Sequence, residues 1–254
     1  MTRYKLTIEY KGTDFSGWQR QVGVPSVQAT IEEAVEKFSG QAVRLHVAGR
    51  TDAGVHALGQ VAHMECAPFT RDMSPFDIMK AINAHLRPYT VSIVALEMVP
   101  ESFHARFSAV NKLYRYRILN RSAFPAVEQG LVWHVKKPLD CDAMNSAAQI
   151  LVGQHDFSTF RDTQCQAKSP VKTLDRLEVT ALAYGPSGRE IRIEAEGRSF
   201  LHHQVRNMVG ALALVGEGKW TQERLAKALA AKDRTEGGPT APPDGLYLMR
   251  VDYH

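Results

Sequence analysis

One short stretch carries the most chemistry for its length: Gly49-Arg50-Thr51-Asp52-Ala53-Gly54-Val55-His56-Ala57. It sets a carboxylate, Asp52, close to a guanidinium, Arg50, between two glycines that read as a turn. Val43, Leu45 and Val47 alternate before it and an apolar run from Val61 to Met64 follows, so the turn joins two strands. A carboxylate on such a loop stands where catalytic groups commonly stand. On its own it says little, because Asp and Gly favour turns for conformational reasons alone.

Other groups gather elsewhere. Arg106, Lys112, Arg115, Arg117 and Arg121 lie in the segment from Phe103 to Arg121, which has no acid and places Phe and Tyr among the cations. Cations interleaved with rings suit an RNA surface; a strand with one solvated arginine face would look the same. The loop from Lys11 to Gln21 mixes cations and amides with Phe15 and Trp18. Those rings either stack on bases or cap the edge of a core. Metal chemistry finds no support: His46, His56, His63, His202 and His203 fit no His-Glu-x-x-His or comparable spacing. Gly216-Glu217-Gly218-Lys219-Trp220 fails as a P-loop, lacking the first glycine and the Ser/Thr. Cys66, Cys141 and Cys165 form neither a Cys-x-x-Cys nor an even set, as expected in a reducing compartment.

The elements that must position these groups are legible from period and capping. Tyr4, Leu6, Ile8 and Tyr10 alternate as a half-buried strand. Ser26 caps a helix with Val27, Ile31, Val35 and Phe38 on one face. Ser74-Pro75-Phe76-Asp77 starts a second, with Ile78, Ile82 and Leu86 inward and Pro88 ending it. Val91 to Val99 is a strand. Strand, helix, strand, strand, helix, strand is the order of ferredoxin-like and RNA-recognition folds. Pro100-Glu101-Ser102 marks a junction, giving halves 1–103 and 104–254. In the second, Asp140 and Thr221 cap helices, and a hairpin turns at Tyr184-Gly185-Pro186-Ser187-Gly188. A helix with its lead-in spans Ser199 to Val215, with His202, Arg206 and Gly210 along one stripe, and Leu246 to Tyr253 is the last strand. The class is α+β.

With 254 residues, 44% hydrophobic and 23% charged, the chain has the balance of a soluble globular protein. No apolar run approaches the ~18 residues that span a membrane, and no signal core follows Met1, so a cytoplasmic location is expected. The net charge of +4 is compatible with nucleic acid without proving it.

The Asp52 string resembles the signature of the tRNA pseudouridine synthase A family. The resemblance continues through Gly17-Trp18-Gln19-Arg20-Gln21, Phe103 to Ala109, Tyr114-Arg115-Tyr116, Phe200 to Gly210, Ala230 to Thr235 and Gly245 to Leu248. It covers nearly the whole chain in order, departing at Gln204, where the family often has an apolar residue such as Met. It implies a pseudouridine synthase fold: two ferredoxin/RRM-like halves whose antiparallel sheets meet at a central cleft. It implies isomerisation of uridine to pseudouridine at positions 38, 39 and 40 of the tRNA anticodon stem-loop, without cofactor or metal. By that resemblance Asp52 is the nucleophile, Arg206 its cationic partner, and Tyr114 the ring stacked on the target base. Arg50, Leu248, His202, Arg106 and Arg20 are the further substrate-binding residues, and Arg50 fills the gap left by the flipped base or orients the RNA. His202 and His203 either meet phosphates or lie on a helix surface. Attack at C6, attack at C1′ and a glycal path all remain open. The family's members are homodimers. The rival reading is a tRNA-binding or folding protein on an RRM-like fold without catalysis, which would have no need of Asp52, Tyr114 and Arg206 together.

Overall fold

The computed structural model describes residues 1–69 and 73–254. Alternation in the first strand, β1 (Thr2–Tyr10), buries Tyr4, Leu6, Ile8 and Tyr10. There follow α1 (Val27–Ser39), β2 (His46–Val47), β3 (His56–Cys66), α2 (Pro75–Leu86) and β4 (Val91–Val99). The chain continues with β5 (Ala109–Asn120), β6 (Trp133–Val135), α3 (Cys141–Ala148), β7 (Gly153–Asp156), β8 (Val171–Leu174), β9 (Arg176–Ala183) and β10 (Arg189–Gly197). It ends in α4 (Gln204–Gly216), α5 (Gln222–Ala231) and β11 (Leu246–Tyr253). This is the expected α+β class. No helix of the described residues is long and apolar enough to cross a membrane.

The elements form two units, Met1–Val110 with Tyr247–His254, and Asn111–Leu246. A division at 103/104 would leave the last strand in the second half. Instead β11 returns to the first unit. Tyr247 and Leu248 pair in parallel with His56 and Ala57, and the Tyr253 hydroxyl donates to the Ala105 carbonyl at 2.7 Å. Element order cannot show this, because a strand's partner is set by hydrogen bonding at a distance in sequence.

In the first unit β1 lies between β4 and β3, antiparallel to both. The other edge of β3 carries β2 at His63 and Ala62 and β11 at His56 and Ala57. The order β4-β1-β3-β2 is that of a ferredoxin-like sheet. The helices α1 and α2 pack on each other, burying Val27, Ile31 and Val35 from one and Ile78, Ile82 and Leu86 from the other. Their starts are the predicted caps: Ser26 Oγ accepts from Ala29 N at 3.3 Å, and Ser74 Oγ from Asp77 N at 3.2 Å.

In the second unit β10 pairs antiparallel with both β5 and β9, β6 runs parallel to β5, and β7 and β8 form a separate ribbon. The helix α3 packs on β9, α4 and α5. Asp140 and Thr221 cap as expected, accepting from Ala143 N at 2.9 Å and Arg224 N at 3.2 Å. Of the helix and lead-in expected over Ser199 to Val215, the helix itself begins at Gln204. His203, at φ 60°, holds a left-handed conformation no helix can contain, so His202 precedes α4 rather than sharing a stripe with Arg206.

Candidate active site

The Asp52 turn is held by the residues on either side of it. Thr51 is buried, and its Oγ1 lies 2.7 Å from the Tyr10 hydroxyl. Its carbonyl accepts from Trp18 N at 3.1 Å. Before the turn, the Gln60 amide donates to the Gly49 carbonyl at 2.9 Å and to the Tyr10 hydroxyl at 3.3 Å. After it, Val55 N donates to the Asp52 carbonyl and Gly54 N to the Phe15 carbonyl. Burial pushes the Tyr10 hydroxyl up to about 12, against the pull of its bonds to Thr51 and Gln60, so it stays protonated. Gly17 is required here: its φ is 96°, and a Cβ on it would lie 2.8 Å from the Thr51 carbonyl oxygen. Asp52 itself is half-buried and Arg50 is exposed. The backbone of the turn is thus fixed by a core tyrosine, a core glutamine and the 15–18 loop, while Asp52 itself keeps partial exposure.

Phe15 and Trp18 belong to that frame. Trp18 is 1% exposed and its ring lies 6.1 Å from that of Tyr10. Of the two readings open for these rings, the core has them.

In the second unit Tyr114 is buried on β5, its ring meeting Phe200 edge-on at 5.1 Å. Arg206 stands half-buried on the first turn of α4. Its Nε donates to the Ala241 carbonyl at 2.8 Å, and its own carbonyl accepts from Ala241 N at 3.1 Å. This fixes the plane of the guanidinium against the strap 237–243. The strap is held in turn by Asn207, a buried residue whose Oδ1 accepts from Thr240 Oγ1 at 2.6 Å and Arg234 Nη2 at 3.2 Å. The Asn207 amide donates to the Phe160 carbonyl at 2.9 Å. At Gly210 the Pro239 carbonyl occupies the place a Cβ would take. Tyr116 pins the strap's far end, its hydroxyl donating to the Pro242 carbonyl at 2.7 Å. Burial raises that hydroxyl well above its ordinary value, against the opposing charge of Arg206, which keeps it a donor.

His202 and His203 are clamped from the loop after Phe160. His203 Nδ1 lies 2.7 Å from Asp162 Oδ2 and His202 Nδ1 3.5 Å from Asp162 Oδ1. Asp162 N donates to the His202 carbonyl at 3.0 Å. Burial pushes the Asp162 carboxyl up, but the Gln164 N–H and the two imidazoles outweigh it and hold it below the usual carboxylate range. These are not histidines on a helix face: an acid distant in sequence holds them at the entry to α4.

The basic segment is mostly not open to a ligand. Arg115 pairs with Glu194 at 2.6 Å, and Arg117 with Glu128 at 2.8 Å and Glu190 at 3.0 Å. Lys112 is buried, its Nζ donating to the Arg198 carbonyl. The segment lacks acids of its own, but β10 supplies them, since Arg115 and Arg117 lie opposite Glu194 and Arg192 in register, with Glu190 near by. Arg106 is exposed, 5.9 Å above the Phe107 ring. Arg20 pairs with Glu32 at 3.2 Å and Glu33 at 3.4 Å. Leu248 is completely buried, so as it stands none of its side chain is open to a ligand.

Residue by residue, Asp52 and Arg50 share a turn of the first unit with Arg20 and Leu248 on adjoining segments, while Tyr114, Arg206 and His202 belong to the second. Sequence reading missed the residues behind them: Tyr10 and Gln60 under the turn, Asn207 beside Arg206, and Asp162 behind the histidines. Asn207 had a signal, since it is a polar residue among the apolar positions of α4.

A family model described as tRNA pseudouridine synthase matches residues 6–108 and 147–254. A relative from Rhodopseudomonas palustris (strain BisB5), named tRNA pseudouridine synthase A, is 58% identical over 254 residues, covering all of both chains. Proteins of the same name from Rhodospirillum rubrum and Parvibaculum lavamentivorans are 55% and 56% identical over all of this chain and 88% and 100% of theirs. A chain in a solved Cbf5-Nop10-Gar1 complex aligns over 96% of this one and 57% of itself at a TM-score of 0.33 and 11% identity, too low to add to the comparison.

Proposed function

The chain belongs to the tRNA pseudouridine synthase family, an isomerase family, and from that premise we propose that it converts uridine to pseudouridine at positions 38, 39 and 40 of the tRNA anticodon stem-loop. In this reading Asp52 is the nucleophile, Arg206 its countercharge and Tyr114 the ring against the target base. The N1–C1′ bond breaks, the uracil turns, a C5–C1′ bond forms, the C5 proton leaves and N1 gains one. Atoms and electrons balance within the substrate, so the reaction calls for no cofactor. A carboxylate can carry it by adding covalently to base or sugar. Arg50, Arg106, Arg20 and His202 complete the substrate surface, with Leu248 buried behind it, and the enzyme acts in the cytoplasm as a homodimer.

The observation that carries this reading is the Asp52 turn. Its backbone is fixed by buried bonds on both sides and Asp52 is only half-buried. A nucleophile needs that combination: a rigid mount and an accessible oxygen. A uridine inside a stem must leave its stack, at a cost of a few kcal/mol, before any protein group can reach it.

The test is tritium release from C5-labelled uridine in an unmodified tRNA transcript. The wild type should release label, and Asp52→Ala should abolish release while still binding the transcript. Full release by the variant would place the nucleophile elsewhere. Binding without release by the wild type would establish the non-catalytic alternative.

A further inference from the structure

His46 on β2, His63 on β3 and His104 before β5 meet in the first unit. Their ring nitrogens come within 4.8 Å of one another. His63 stacks on His46 at 4.9 Å and meets His104 edge-on at 4.6 Å. The spacing suits a metal ion, but the hydrogen bonds do not. Ala105 N donates to His63 Nδ1 at 3.1 Å. Arg106 N and Phe107 N donate to His104 Nδ1 at 3.1 and 3.4 Å. Each of these Nδ1 atoms therefore presents a lone pair, so each neutral ring carries its proton on Nε2. A protonated Nε2 has no lone pair for a metal, and a metal-bound imidazole turns its other N–H toward an acceptor, not a donor. Both rings are set as donors at Nε2.

Their surroundings favour an anion. Arg3 on β1 acts on both rings while pairing with Glu65 on β3, so the two charges offset, and the exposed Arg106 on the 103–108 turn adds positive charge beside His104. Burial lowers His63 to about 4, with His104, His46 and Arg3 pushing the same way and Glu65 opposing. Burial, His46, Arg3 and Arg106 lower His104 against its own backbone bond. His46 is exposed, His104 half-buried and His63 buried. We propose that His46, His63 and His104 form a phosphate-binding site that grips a backbone phosphate of the RNA substrate. The RNA assignment rests on the tRNA reading above; the anion site does not.

The test uses the full chain labelled with 15N, reading imidazole nitrogens while inorganic phosphate is added. The expected result is an Nε2–H form for His63 and His104 beforehand, and phosphate shifting both signals and raising the pH at which both rings titrate. Two variants localise the effect. His46→Ala removes an exposed ring. His104→Asn keeps an acceptor for the Arg106 N–H and removes the Nε2 donor. Each should weaken the phosphate response and lower affinity for a tRNA transcript roughly three- to tenfold, with the salt dependence little changed, because neutral donors release no counterion. Zn²⁺ binding with loss of the Nε2 protons, or no response to phosphate, would overturn the site. A phosphate response with tRNA affinity unchanged in both variants would assign it to free phosphate and overturn the RNA grip. Tritium release by the wild type reports separately on the isomerase reading, so the two can fail independently.

Discussion

Tyr10→Phe removes a single oxygen from beneath the Asp52 turn. That oxygen lies 2.7 Å from buried Thr51 Oγ1 and accepts from Gln60 Nε2 at 3.3 Å. Gln60 keeps its bond to the Gly49 carbonyl, so the main loss falls on the Thr51 hydroxyl, left without that partner in a site 7% exposed. A buried group left unpaired costs about 1–3 kcal/mol. For a chain of this size that corresponds to a fall in Tm of about 2–10 °C. If the loosened turn displaces the carboxylate only in the transition state, the same energy lowers the rate by about fivefold to 160-fold. The assay is single-turnover tritium release at saturating enzyme, with tRNA affinity measured alongside. Tyr4→Phe is the control, since Tyr4 is also a buried residue of the same strand and pairs with Met64, toward the other end of β3 from the turn. The expected pattern is a slower Tyr10→Phe with unchanged affinity. If it matches Tyr4→Phe in both Tm and rate, the turn does not depend on this hydroxyl and the account of its rigidity is wrong.

Gly17→Ala places a Cβ against the Thr51 carbonyl at a φ of 96°, and should reduce turnover more than Tyr10→Phe does while the fold, followed by circular dichroism, persists. Arg117→Ala should cost about 1–3 kcal/mol in urea unfolding, because Glu190 is buried and loses one of its two arginines. The same variant should leave the salt dependence of tRNA binding unaltered, since Arg117 is committed to carboxylates. Stability should fall as pH drops from about 6.5 toward 4, because the unfolded chain takes up a proton at His63 that the folded one refuses. The slope from this group is at most about 1.4 kcal/mol per pH unit, less with solvent screening. His63→Gln should flatten the pH profile in that window, and an unchanged profile would mean His63 is not its source.

The sequence alone determined whatever depends on near neighbours. Ser26, Ser74, Asp140 and Thr221 all cap the helices they were expected to cap, because a cap bonds a backbone N–H only three residues on. Alternation placed β1, and the βαββαβ order gave the ferredoxin-like first unit. The Asp52 string was legible because its glycines and acid are contiguous. Tertiary structure decided the rest. It returned β11 to the first unit, gave Arg115 and Arg117 carboxylates from β10 and beyond, and drew Trp18 into the core. It also clamped His202 and His203 with Asp162, and gathered His46, His63 and His104. Each joins residues far apart in sequence through a strand partner or a packed loop. Local propensity carries no record of such a partner, because its free energy exists only once the chain has closed on itself.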